Sequence, residues 1–188
     1  MNEKEYDLEQ SREELDKLVS LSANQTDEAS CKPIVEKAES VYEKYSGSEE
    51  LALAYAKILF NLSTEQTELQ ELEASVAKIQ SLQERFSDSP DIALEYAKIL
   101  VNLSTKQTEL KEREATVEEL KGLQQQFPEL PDIAFWYAMI LFNLSTEQTE
   151  LNEIEATVEK LQVVQQQFPE SPDIAFLARI TPPTARAP

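Results

Sequence analysis

Apolar residues along this chain fall three and four positions apart, the spacing that keeps them on one face of an α-helix. Leu69, Leu72, Val76, Ile79, Leu82 and Phe86 form one narrow stripe, and Glu, Gln and Lys, all good helix formers, fill its opposite side. Ile92, Ala93, Tyr96, Ile99, Leu100 and Leu103 form a stripe of a second kind. The two kinds alternate, and proline marks where a helix of the first kind gives way to one of the second. Phe86-Ser-Asp-Ser-Pro-Asp91, Phe127-Pro-Glu-Leu-Pro-Asp132 and Phe168-Pro-Glu-Ser-Pro-Asp173 each end one helix and open the next. Proline is tolerated in the first helical turn, where its missing N–H has no intrahelical partner to lose. Asp91, Asp132 and Asp173 then fall near the positive end of the helix dipole.

Both stripes recur every 41 residues. NLSTEQTEL stands at Asn61–Leu69 and again at Asn143–Leu151, and NLSTKQTEL stands between them at Asn102–Leu110. Tyr55, Tyr96 and Tyr137 keep the same spacing, as do Ala56, Ala97 and Ala138, and Val35, Val76, Val117 and Val158. A period of this length predicts stacked two-helix units and an all-α fold. The units fall at about 8–49, 50–90, 91–131 and 132–172, with a partial helix at 173–180, so that 1–181 reads as one helical-repeat domain. Residues 182–188 match no repeat position and are expected to be a disordered tail or sequence foreign to the repeat. Within the phrase, Ser63-Thr-Glu-Gln66 has the form of a helix-capping box, and Ser22–Gln25, Ser104–Gln107 and Ser145–Gln148 repeat it. That spacing predicts a joint opening the second helix of each unit. Arg113, where Leu72 and Ile154 stand in the flanking copies, is the clearest break in an apolar stripe.

The pattern I-A-x-x-Y-A-x-x-L, followed by a second amphipathic helix and F-P-E-S-P, resembles tetratricopeptide repeats. The small residue at Ala56, Ala97 and Ala138 and the proline at each unit's end belong to the likeness, which spans nearly the whole chain. The repeat is longer than that family's ~34 residues. Its extra residues fall around STEQTEL, which predicts a longer joint or an extended start to the second helix. HEAT-type repeats match the length better and the residue pattern less well. The resemblance implies an α-α superhelix (a solenoid of antiparallel helix pairs) that binds partners on the surface formed by the first helices, without catalysis.

The first helices carry a second apolar side that fits that implication. Leu53, Phe60 and Asn61 occupy it in one copy, Leu94, Val101 and Asn102 in the next, and Phe135, Met139, Phe142 and Asn143 in the third, with Trp136 at the edge. A helix apolar on two sides is either buried on both or presents a groove. As a groove, the Asn ladder would bond a peptide backbone, since its amide both donates and accepts, while the apolar residues take side chains. The other reading is a structural or self-associating module whose stripe packs on neighbouring copies.

Composition narrows the chemistry further. The chain has no His, one Cys and two Gly, so no Cys/His zinc set, His-activated nucleophile or glycine-rich phosphate loop can be assembled. Cys31 reads as a small core residue. No enzyme activity, cofactor or metal is expected. Thirty-six acidic against 17 basic residues give a net charge of -19, which disfavours nucleic acid and anionic membranes and favours a basic protein or peptide partner. The acidic N-terminal residues lack the order of a secretory signal, and no apolar run reaches the ~20 residues of a membrane span. A cytoplasmic location is expected, with homo-oligomer formation through exposed repeat ends as a further expectation.

Overall fold

A computed structural model describes residues 3–180. The expected tail at 182–188 lies outside them. Among the described residues the secondary structure is entirely helical: α1 (Glu3–Ser22), α2 (Glu28–Lys44), α3 (Glu49–Glu65), α4 (Leu69–Arg85), α5 (Pro90–Lys106), α6 (Leu110–Gln126), α7 (Pro131–Glu147), α8 (Leu151–Gln167) and α9 (Pro172–Ile180). Two helices of 17 residues, a three-residue joint and a four-residue joint account for the 41-residue period. Such short joints fold consecutive helices back on one another as antiparallel neighbours. The chain is therefore a helical repeat, as its periodicity predicts.

Pro90, Pro131 and Pro172 are the first residues of α5, α7 and α9, each followed by an aspartate in the first turn. The preceding helices close by backbone bonds. The Phe86 N–H donates to the Leu82 carbonyl at 2.9 Å and the Ser89 N–H to the Phe86 carbonyl at 2.9 Å, and Phe127 and Phe168 repeat the first of these. Asp27 caps α2, accepting from the backbone N–H of Ser30 at 2.9 Å and from its hydroxyl at 2.8 Å. Those two bonds hold its carboxyl below the usual range.

The chain divides into two compact units, with the division between Asn102 and Leu103, inside α5. In the N-terminal unit α1 packs on α2 and α3, and α3 also packs on α2 and α4. In the C-terminal unit α7 takes the central place, against α6, α8 and α9. A helix with several neighbours must be apolar on more than one side, which fits the high apolar content of α3 and α7. In α3 the buried residues include Leu51, Ala52, Tyr55, Ala56, Ile58, Leu59 and Leu62; in α7, Ile133, Ala134, Tyr137, Ala138, Ile140, Leu141 and Leu144 fill the same repeat positions. Ala56, Ala97 and Ala138 are fully buried. Cys31 is also buried, and burial, ahead of the nearby Glu65 charge, raises its thiol pKa.

Tyr55 and Tyr137 carry a pH dependence into this core. Burial first, and the charges of Glu39 and Glu118 respectively, push both phenols up, Tyr137 to about 12. The unfolded chain ionises tyrosine near ~10. The folded chain therefore keeps these protons longer, and the associated stability is intact below pH ~10 and is lost as pH rises towards about 12. The melting temperature is expected to hold steady up to pH ~10 and then fall, with Tyr137→Phe flattening part of that fall. An equally steep fall in the variant would remove Tyr137 from the explanation.

Candidate functional site

The eleven residues of the expected groove lie on α3, α5 and α7, and ten of them are half-buried; Val101 is buried. In the N-terminal unit the Lys98 ammonium stands 5.1 Å from the centre of the Phe60 ring, a cation–π contact joining the second sides of α3 and α5. Lys98 also pairs with Glu95 at 2.9 Å. The Glu95 carboxylate is only 7% exposed, and its second oxygen is buried with no donor. Such a group is costly to a fold and uncommon. In the C-terminal unit Phe135, Met139 and Phe142 follow one another at helical spacing on α7, and Trp136 meets Phe135 edge-on at 5.4 Å.

The asparagine ladder does something the sequence did not reveal. Asn61 Nδ2 donates to Ser22 Oγ at 2.8 Å, and Asn102 Nδ2 donates to Ser63 Oγ at 2.8 Å. Each serine hydroxyl in turn donates one turn back in its own helix, to the carbonyls of Val19 (2.9 Å) and Phe60 (2.6 Å). The serine thus spends its hydrogen within one helix and a lone pair on the next copy. The amide donors expected to read a peptide backbone are, in these two copies, engaged in joining successive first helices.

The expected capping box is not formed. Ser63, Thr64 and Glu65 are the last turn of α3, Gln66 follows that helix, and α4 starts only at Leu69 after Glu68, which makes no side-chain cap. Of the repeated phrase, Ser63–Glu65 finishes the first helix, 66–68 form a three-residue joint, and Leu69 opens the second helix. The cause is local: buried Leu62 keeps the turn packed, and Ser63 and Thr64 bond back to the carbonyls of Phe60 and Asn61 rather than forward.

Gln66 then serves as a tie between the paired helices. Its Oε1 accepts from the Ser75 hydroxyl at 3.0 Å, and its Nε2 donates to the Glu71 carbonyl at 3.0 Å. Gln107 accepts from Thr116 at 3.0 Å and Gln148 from Thr157 at 2.9 Å, so the tie recurs in every full copy. All six residues are buried. The sequence held a signal for this, a hydroxyl residue in register at 75, 116 and 157, but an apolar stripe drawn through Val76 passes over Ser75. Ser75 is the buried one, and Val76 is half-buried.

No family model, curated protein or solved structure matches this chain. Its class rests on its own geometry, an all-α helical repeat whose helices, within each of the two compact units, pack on neighbours in sequence. No helix among the described residues is long and apolar enough to cross a membrane.

Proposed function

We propose that this chain is a non-enzymatic cytoplasmic scaffold of the tetratricopeptide type that binds a protein or peptide segment on the surface formed by the first helix of each repeat. The observation that carries the reading is the partial exposure of Leu53, Phe60 and Leu94 in one unit and of Phe135, Trp136, Met139 and Phe142 in the other. Their helices already have a fully buried side, so these residues are apolar surface beyond what the core uses. The favoured segment is basic. The net charge of -19 attracts it from a distance. Recognition rests on the aromatic and aliphatic residues, since two of the three ladder asparagines have their donors engaged.

Selection from a randomised peptide library is expected to enrich sequences containing Lys or Arg. Phe60→Ala and Phe142→Ala are each expected to weaken the selected peptides about tenfold with helix content unchanged. Undiminished binding by both variants would sink the proposal. The second reading, self-association, is favoured by Phe176 and Ile180, which are one turn apart on α9 and 50% and 43% exposed. On that reading light scattering reports a mass that rises with concentration, and Phe176→Asp abolishes the rise.

A further inference from the structure

One cavity in the C-terminal unit follows from a break in the repeat. Arg113 on α6 stands where neighbouring copies hold Leu72, which is fully buried, and Ile154. Its side chain is only 13% exposed. Its Nε donates to the Gln107 carbonyl at 2.7 Å, and its Nη1 pairs with the Glu147 carboxylate at the end of α7. Neither member of the pair has a counterpart one copy earlier, where the same repeat positions hold Leu72 and Lys106. Beside the pair is a cavity of about 180 Å³. Val117, Ile140 and Leu144, all buried, line its inner wall, and the exposed Thr105, Thr146 and Glu147 line its mouth. Asn143 is there too.

Stability does not account for this arrangement. A largely buried ion pair is generally no better for a fold than the apolar residues it replaces, and here the chain's own repeats supply a leucine and an isoleucine for the position. Departures from an otherwise consistent pattern concentrate at sites that do something. The cavity is smaller than the ~300–1,000 Å³ of drug-sized pockets, which suits a single side chain or a fragment. Arg113 and Glu147 offset each other's charge. An anion would meet Glu147 and the field of an acidic chain, and a cation would meet Arg113. A neutral planar group avoids both conflicts if its carbonyl accepts from Arg113 or Asn143 while its N–H₂ donates to Glu147. The apolar inner wall then covers a short aliphatic stem.

We propose that this cavity binds a primary carboxamide on a short aliphatic stem, the chemistry of a glutamine side chain. The site shares only Asn143 with the first-helix surface and does not depend on that surface binding a peptide. The probe is N-acetylglutamine methylamide, with the corresponding glutamate and norleucine derivatives as comparisons, followed by the NMR signals of the Asn143 side-chain amide. The glutamine probe is expected to shift those signals saturably and to bind about tenfold more tightly than either comparison. Arg113→Leu, which restores the residue of the preceding copy, is expected to remove binding. Glu147→Ala is expected to turn the preference towards glutamate, because Arg113 is then uncompensated. If Arg113→Leu does not fold, Asn143→Ala read through the Thr146 signal decides instead, with loss of at least tenfold in affinity expected. A glutamine probe that never saturates, glutamate binding as tightly as glutamine, or full binding by Arg113→Leu or, in its place, Asn143→Ala would each overturn the proposal.

Discussion

Leu72→Ala is expected to cost the N-terminal unit about 2–5 kcal/mol. Leu72 is fully buried in the stripe α4 turns towards α3. Alanine loses the transfer free energy of the missing carbons and leaves a hole that a helix pair held by three-residue and four-residue joints closes only in part. The whole stability of a domain is typically about 5–15 kcal/mol, so one such change removes a large share of it. In a repeat protein the loss also falls on the contacts with the adjoining copy, because each unit is stabilised through its neighbours. The check is a urea titration followed by circular dichroism. The midpoint is expected to drop with the slope unchanged, and a loss under ~1 kcal/mol would mean that the site collapses around the smaller residue.

The second large effect concerns a polar residue. Gln66→Ala is expected to cost about 2–4 kcal/mol, since it removes two hydrogen bonds and leaves the buried Ser75 hydroxyl without its acceptor. The unmet partner accounts for most of that cost. Gln66→Leu combined with Ser75→Ala removes both polar ends of the bond and is expected to recover most of the loss. A double-mutant cycle over the two positions separates the pair's coupling from the packing change. If Gln66→Ala and Ser75→Ala proved additive, the tie would contribute no coupling and Gln66 would be filling space.

The fold was legible because its determinants are local and repeated. Apolar spacing of three and four places the helices, proline places the starts of α5, α7 and α9, and recurrence sets the period. The polar details were not legible, because a serine followed three residues later by glutamine suits two arrangements. It can open a helix as a capping box, or finish one and tie it to the next, and only the packing of Leu62 and the place of Ser75 decide between them. The site was legible in part. Half-buried Phe60 and Phe142 lie on the side that periodicity gave them, whereas the fate of Asn61 and Asn102 depended on serines 39 residues earlier in the chain. Arg113 was visible as an irregularity, but its pairing with Glu147 joins two helices and no single stripe reports it.

Five of the bonds between copies share one number. Ser22 with Asn61, Lys32 with Glu71, Glu39 with Lys78, Ser63 with Asn102 and Pro128 with Gln167 are all 39 residues apart. A partner rule written as a fixed offset survives any edit that adds or removes whole periods, since the offset across the seam is restored. An edit of any other length breaks it at once. Unequal crossing-over between the near-identical NLSTEQTEL segments produces edits of whole periods, so a gene of this kind can lengthen or shorten its product without having to evolve a new interface.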